Sequence, residues 1–243
     1  MPLSRETVSQ LLQESAPEIP LSLSAHQIDQ FFFYLQELQK WNRAINLTGN
    51  ADARFIIQHH FIDSLSCTIA PVITPHIRLL DIGAGAGFPG IPLKIYSPGI
   101  RLIAVDAVAK KVRFLQHLCR GLALQKVDCV AARLEPHVSS HTPLREAHHA
   151  ALQPRAFDVV TSRAVGSIPE LLQVAHPYLA PQGCLLLQRG RQGPHELREH
   201  RSWFQQYGFE DVHLLNVQFS FLEYPRYLMV ACLQGREEVF NEK

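Results

Sequence analysis

Residues 79–90 read LLDIGAGAGFPG, a short apolar run that ends in an acid and opens into four glycines within eight residues. Glycine suits positions of positive φ and places where a ligand comes too close for a Cβ atom. Such a pattern is typical of a buried parallel strand that turns into a helix around a nucleotide-like ligand. The stretch therefore predicts a doubly wound α/β fold with a ligand site at the carboxyl end of this strand.

The next apolar run, residues 102–105, ends in Asp106, nineteen residues after Gly87. In folds of this kind, a carboxylate at the tip of the second strand holds the ribose diol of the ligand. Asp106 is therefore predicted to accept hydrogen bonds from ribose hydroxyls. The alternative is that it only caps the helix that follows.

The glycine spacing bears on the class of ligand. The NAD fingerprint G-x-G-x-x-G would place its third glycine at Phe88, and Pro89 and Pro92 each lack an amide that a pyrophosphate could use. The pattern here is D-x-G-x-G-x-G, which resembles the loop of Rossmann-like methyltransferases that bind S-adenosylmethionine (SAM), a ligand without phosphate. In that interpretation Asp81 lies near the cationic amino-acid tail, directly or through water. An NAD-dependent oxidoreductase is the alternative.

Strands and helices alternate from residue 77 onward, which predicts a parallel sheet. Strands are predicted near 77–82, 101–105, 126–131, 157–162 and 183–188, and helices near 90–96, 108–121, 167–179 and 194–207. Apolar runs near 211–219 and 226–233 predict a closing hairpin, which brings the sheet to seven strands. The helix near 108–121 is predicted to bury one face, formed by Val108, Val112, Leu115, Leu118 and Leu122.

The residues before this alternation predict a helical extension. Ser24 and Gln27 form a capping-box pattern. Apolar residues follow at helical spacing, namely Ile28, Phe31, Phe32, Leu35 and Leu38. A second helix is predicted from about Arg54 to Ile69. We therefore divide the chain into an N-terminal helical extension, 1–75, and a SAM-dependent methyltransferase domain, 76–243.

Composition restricts the partners and the compartment. With a formal net charge of +1 over 243 residues, any nucleic-acid contact must use a local basic patch. Five scattered cysteines without C-x-x-C predict free thiols in a reducing cytosol rather than a disulfide framework or a zinc ribbon. The N-terminus lacks a signal-peptide pattern, and no apolar stretch approaches a membrane span. We expect a cytoplasmic monomer that does not contact a membrane.

Several segments in chain order carry a closer resemblance. They are residues 41–48 (WNRAINLT), His60 with 63–65, the loop 81–93, Asp106 with 110–115, 162–164 (SRA) and 226–228 (RYL). With these segments the sequence resembles the bacterial small-subunit ribosomal RNA methyltransferase G family, also called glucose-inhibited division protein B. The resemblance covers almost the whole chain. It implies a Rossmann-like class I enzyme that uses SAM to methylate N7 of one guanine in the 530 loop of 16S rRNA, within the small ribosomal subunit.

The resemblance also implies site residues. It places Arg163 in the active site, where the side chain could hold the SAM carboxylate or an RNA phosphate. His60 and Asp63 lie three apart on one helix and can touch. Either could instead make only core or capping hydrogen bonds. The candidate catalytic residues are Arg163, His60 and Asp63, and the candidate cofactor contacts are Asp81, Gly83, Gly85, Gly87, Phe88, Asp106 and Arg163.

Basic residues supply the candidate RNA contacts, which raise affinity without reading sequence. They are Arg133, Lys110, Arg189 and Arg226, of which Arg133 could equally contact the cofactor. Arg189-Gly190 stands where the family usually has Lys-Gly, and residues 135–155 form a longer excursion than the family predicts. The excursion has four histidines, at 137, 141, 148 and 149, but without a clear helical register or thiolates they predict no metal site.

Methyl transfer to guanine N7 needs little acid–base assistance. N7 carries an in-plane lone pair and the sulfonium methyl is already activated, so we expect alignment of the reactants rather than a catalytic triad. A non-catalytic ribosome-binding protein with this fold is a third hypothesis. It is disfavoured because a degenerate module should have lost the glycines or Asp106.

Overall fold

The computed structural model describes residues 3–14, 19, 22–135, 149–163 and 166–233. Within these ranges the strands are β1 (Arg78–Ile82), β2 (Arg101–Asp106), β3 (Val127–Ala131), β4 (Phe157–Arg163), β5 (Leu179–Arg189), β6 (Phe209–Val217) and β7 (Arg226–Leu233). They form one sheet in the order β3-β2-β1-β4-β5-β7-β6, in which β1 to β5 are parallel and β6 and β7 are antiparallel to their neighbours. The predicted seven strands and the closing hairpin are confirmed.

The described helices are α1 (Arg5–Glu14), α2 (Ala25–Asn42), α3 (Ala53–Ile56), α4 (Asp63–Leu65), α5 (Gly90–Tyr96), α6 (Ala109–Gly121), α7 (Ile168–Ala175) and α8 (Gly193–Gln206). A π-helical segment (Ile57–Ile62) joins α3 to α4, and a 3-10 turn (Ser66–Ile69) follows. The helix predicted over 54–69 is therefore present but changes type along its length. In the described parts of the chain, no helix combines the length and apolar character that crossing a membrane requires.

The strand order reverses between β1 and β4. Chain order runs outward from β1 to β3 on one side and from β4 to β5 on the other. A crevice opens at the carboxyl ends of the strands at such a switch point, and ligands bind there in open α/β sheets. The ends of β1, β2, β4 and β5 therefore surround the candidate site.

The N-terminal helices pack onto the same core as the sheet. Ser24 and Gln27 form the predicted capping box at the start of α2. Phe31 and Tyr34 of α2 are completely buried in one hydrophobic cluster that also contains Leu79 of β1. Burial of two aromatic side chains holds the extension against the sheet. The division into domains at residue 75 stays a prediction.

Two expectations from the sequence are wrong. Val108 is 45% exposed, because it is the N-cap residue of α6 and precedes the buried face of that helix. Cys184 and Cys232 lie directly opposite each other on β5 and β7 and form a disulfide. Strand register brings these two cysteines together. They are 48 residues apart in the sequence, and no sequence pattern indicates that they pair. Cys67, Cys119 and Cys129 are free thiols, as expected.

Candidate active site

The loop after β1 is shaped by its glycines. Gly83, Gly85 and Gly87 have φ angles of 71°, 58° and 106°, a region that residues with a Cβ rarely adopt. A Cβ on Gly85 would meet nothing closer than 3.8 Å, so the space above it is open to a ligand. A Cβ on Gly87 would lie 2.6 Å from the Tyr34 hydroxyl. The space beside Gly87 is therefore filled by the Tyr34 side chain, whereas a ligand can approach the backbone at Gly85.

Asp106 joins the loops that follow β1 and β2. Its Oδ2 accepts a hydrogen bond from the Gly85 amide at 2.9 Å, and its Oδ1 accepts one from the Val108 amide at 2.7 Å. Each carboxylate oxygen can accept a second hydrogen bond, so ribose hydroxyls can still be held. No side chain caps α6, so Asp106 closes a tight turn before the helix rather than capping it.

Asp81 presents an unpaired carboxylate oxygen beneath the loop. The side chain is completely buried, and Oδ2 accepts a hydrogen bond from the Gly90 amide at 2.8 Å. A Cβ on Gly90 would lie 2.7 Å from this oxygen, so Gly90 lets α5 pack against β1. Oδ1 is buried without a hydrogen-bond partner. Burial raises the pKa of Asp81 to about 7, although the Gly90 amide and Arg163 oppose the shift.

These observations fit SAM. A buried carboxylate oxygen without a partner is costly, and a cationic group nearby would satisfy it. Asp106 would hold the ribose hydroxyls, Asp81 would face the charged amino-acid tail, and the open backbone at Gly85 would accommodate the ligand between them.

Tyr34 supports the loop from the side of α2. Its hydroxyl donates a hydrogen bond of 2.6 Å to the Ala86 carbonyl, and its ring stacks on Phe88 with centroids 5.6 Å apart. Phe88 also stacks on His60, with centroids 4.8 Å apart, and is only 3% exposed. The predicted contact of Phe88 with the cofactor stays a prediction. In the structure, Phe88 links the glycine loop to the helix that carries His60.

Replacing Tyr34 with phenylalanine should therefore loosen the loop. The buried Ala86 carbonyl would lose its donor, which costs about 1–3 kcal/mol. We expect a melting temperature lower by about 2–10 °C and weaker SAM binding by titration. Tyr178→Phe is the matched control, because Tyr178 is buried on the other side of the sheet and lies far from the glycine loop. Equal effects of the two substitutions on SAM affinity would contradict the supporting role of Tyr34.

Asp63 holds two arginines from different strands. Its Oδ2 accepts a hydrogen bond from Arg163 at 3.3 Å, and its Oδ1 accepts one from Arg226 at 3.1 Å. Asp63 is 3% exposed, while the two guanidinium groups lie nearer the surface. Charged hydrogen bonds of this kind fix side-chain geometry more strongly than neutral ones. Asp63 therefore acts on the site by positioning Arg163 at the end of β4 and Arg226 at the start of β7.

Arg163 also contacts His60, so the three candidate catalytic residues come together. Its NH2 lies 3.2 Å from His60 Nδ1, and the guanidinium carbon lies 4.8 Å from the centre of the Phe88 ring. Arginine only donates, so Nδ1 accepts and the imidazole proton lies on Nε2. Burial, and then the charge of Arg163, lower the pKa of His60 to about 3. His60 is thus a neutral donor, and its buried Nε2 has no hydrogen-bond partner.

A pocket of about 310 Å³ opens beside this network. Its walls are Phe55, His59, His60, Asp63, Arg163, Gln188, Arg189, Gly190 and Arg226. The rings of Phe55 and His59 stack with centroids 4.2 Å apart. The volume is at the lower end of the range for ligand pockets, and the aromatic walls suit a flat ring system. The sequence did not identify Phe55, which lies in the short helix α3, or His59, which lies in the π-helical segment, because neither short element leaves a periodic signal.

The four predicted RNA contacts lie along the carboxyl edge of the sheet but in two groups. Arg189 and Arg226 line the pocket. Lys110 and Arg133 are exposed and follow β2 and β3, on the other side of β1. Arg189 is 8% exposed, and its Nε lies 3.3 Å from Glu196 Oε2. Burial lowers the pKa of this guanidinium, against the effect of Glu196.

One exposed pair at the rim of the pocket was not expected. The guanidinium of Arg191 lies 4.5 Å from the centre of the Tyr224 ring, and Tyr224 is 41% exposed. Arg191 follows Gly190 of the pocket wall, and Tyr224 precedes Arg226 by two residues. An aromatic face and a guanidinium plane are therefore available to solvent next to the pocket.

The comparison with protein families decides the identity of the chain. The family model described as rRNA small subunit methyltransferase G matches residues 27–221. The chain belongs to this family. A ribosomal RNA small subunit methyltransferase G from Geotalea uraniireducens is 36% identical over 225 residues, which cover 93% of this chain and 96% of that protein. The one from Syntrophotalea carbinolica is 37% identical over 198 residues, or 82% and 85% of the two chains.

Solved structures agree on the fold. A SAM-dependent methyltransferase from Aquifex aeolicus superposes with a TM-score of 0.53 at 14% identity, covering 82% of this chain and 98% of that one. TYW2 from M. jannaschii in complex with AdoMet gives 0.51 at 15% identity, covering 70% and 75%. These likenesses concern the fold alone. As a member of the rRNA small subunit methyltransferase G family with this fold, the chain is a methyltransferase, and SAM is its cofactor.

Proposed function

We propose that this protein transfers a methyl group from SAM to N7 of one guanine in the 530 loop of 16S rRNA, guanine 527 in the family. The proposal is supported by the position of the cofactor loop next to the pocket. A glycine loop with two carboxylates lies at the same edge of the sheet as a pocket with aromatic walls and three arginines. The second function considered, hydride transfer with NAD, is disfavoured, because the Gly85 amide is already bonded to Asp106 and the unpaired Oδ1 of Asp81 is an acceptor, whereas a pyrophosphate needs donors.

The chemistry requires alignment more than acid–base catalysis. When bound, SAM supplies an electrophilic methyl group. The guanine N7 lone pair needs no base, which agrees with a neutral His60 whose Nδ1 is already occupied by Arg163. Correct positioning of two reactants is worth about 7–11 kcal/mol of the barrier. The residues of the pocket therefore act by holding the base in place and excluding water.

The pocket suits a purine turned out of its RNA stack. Such bases are recognised by stacking on aromatic or guanidinium planes and by hydrogen bonds to their edges. Phe55 and His59 supply the ring faces, and Nε2 of His60 supplies an unpaired donor. Arg226 at the pocket wall would contact a neighbouring phosphate, and the Arg191–Tyr224 pair would support an adjacent base. We propose that the protein acts as a monomer, in the cytoplasm, on rRNA of the small ribosomal subunit.

The decisive experiment maps N7-methylguanine in 16S rRNA. We expect the modification in the 530 loop when the gene is present and its loss when the gene is deleted. Purified protein with labelled SAM should restore it on rRNA or small subunits from the deletion strain. Labelling of small subunits but not of deproteinised rRNA would identify the particle as the substrate. No labelling of either would favour the non-catalytic ribosome-binding hypothesis.

SAM affinity is expected to depend on pH through Asp81. Below its pKa of about 7 this carboxyl group is neutral in the free protein and attracts no cation. Affinity should therefore rise from pH 5.5 to 7, by up to about tenfold per pH unit, and binding near neutrality should release a proton. Calorimetry in buffers of different ionisation enthalpy measures both quantities. Asp81→Asn should bind weakly at every pH, and a wild-type affinity that is constant over this range would contradict the assignment.

A further inference from the structure

Two free thiols meet where α6 packs on the edge strand β3. Sγ of Cys119 in α6 and Sγ of Cys129 in β3 lie 3.8 Å apart. They belong to elements that pack directly on each other. The proposed methyl transfer uses neither residue. A bonded disulfide needs a separation of about 2.05 Å, so a small side-chain movement would close the gap.

The two sulfurs differ in accessibility. Cys119 is 8% exposed, whereas Cys129 is half-buried and lies in an open depression of about 760 Å³ that both thiols line. The hydrogen bond from Cys119 lowers the pKa of Cys129, with the charge of Arg120 assisting and burial and Asp128 opposing. The same contact raises the pKa of Cys119. The accessible thiol is thus the one that ionises first, and the thiolate is the form that reacts.

We propose that Cys119 and Cys129 form a reversible redox pair that is oxidised to a disulfide by low-molecular-weight disulfides. The Cys129 thiolate attacks one sulfur of the reagent, forms a mixed disulfide and releases one small thiol. Cys119 then attacks the Cys129 sulfur, its proton goes to the departing second thiolate, and the protein disulfide forms. Two protein thiols are oxidised and one reagent disulfide is reduced to two thiols.

The fold supports this order of events. The open depression exposes more of Cys129 than of Cys119 to a small peptide disulfide, and the Cys119 sulfur lies 3.8 Å from the Cys129 sulfur. The resulting bond would tie the C-terminal half of α6 to the edge strand β3, away from Asp106 at the opposite end of the helix. The pair is independent of the Cys184–Cys232 disulfide, which joins other strands.

Peptide mapping by mass spectrometry tests the proposal on the full chain treated with glutathione disulfide. In the wild type we expect the peptides of Cys119 and Cys129 to become linked with the loss of two hydrogens, and dithiothreitol to reverse the link. Cys119→Ser should stop at a glutathione adduct on Cys129. Cys129→Ser should react at Cys119 at least tenfold more slowly. Cys67 is the internal control, because it is completely buried and burial raises its thiol pKa.

The peptide map of the wild-type protein does not depend on any variant, so it tests the proposal even if a substitution disturbs folding. A wild type in which both thiols stay reduced while the reagent is in excess would overturn the proposal. So would adducts that accumulate equally on Cys119 and Cys129 without a link between them. Either result would leave the proposed methyl transfer untouched.

Discussion

Replacing Asp106 with alanine is expected to weaken SAM binding by about 100-fold or more. Two charged hydrogen bonds to ribose hydroxyls contribute about 1.5–3 kcal/mol each, and tenfold in affinity corresponds to about 1.4 kcal/mol. The structure adds a second cause. The same carboxylate accepts the amides of Gly85 and Val108, so its removal also releases the loop that shapes the cofactor site. Isothermal titration with SAM measures the loss.

The control for this substitution is Asp128→Ala. Asp128 is an exposed acid on the neighbouring strand β3, and its loss should leave SAM affinity unchanged. Asp106→Ala should remain folded, with a melting temperature lower by only a few degrees, because the two released amides lie near the surface. Unchanged SAM affinity in Asp106→Ala would refute the ribose assignment.

The cofactor half of the site was predictable because it depends on local sequence. A glycine loop after a buried strand and an acid at the tip of the next strand are set by positions close in the chain. Parallel strands then bring these positions to the same edge. Gly87 was assigned to the ligand because the partner that fills its space, Tyr34, comes from a helix 53 residues earlier.

The substrate half was less predictable because it depends on long-range contacts. Asp63 meets Arg163 and Arg226 from positions 100 and 163 residues away. Only the family resemblance placed these residues in one site. Of the pocket walls, Phe55 lies in the four-residue helix α3 and His59 in a π-helical segment, and no hydrophobic period encodes this change of helix type. The two cysteine pairs are also set by long-range packing. Strand register brings Cys184 to Cys232, and the packing of α6 on β3 brings Cys119 to Cys129.

Arg163→Ala is expected to lower the rate of methyl transfer far more than the affinity for SAM. The substitution removes the group that holds His60 Nδ1 and leaves Asp63 with Arg226 as its one remaining arginine. Misplacement of the base by about 1 Å can cost about 100-fold in rate, and a phosphate or carboxylate contact would be lost in addition. We expect turnover on small subunits or rRNA to fall by about 100-fold or more, measured with labelled SAM.

The geometry predicts that Arg163→Ala melts at a lower temperature than the wild type. Asp63 is almost completely buried, and removal of one partner leaves a poorly compensated charge, at a cost of about 1–3 kcal/mol. The double variant Asp63→Asn/Arg163→Ala separates the two effects, because it removes the stranded charge together with its partner. Its melting temperature should recover toward that of the wild type while its turnover stays low. If turnover recovered together with stability, Arg163 would be a structural residue and the pocket would lose its central assignment.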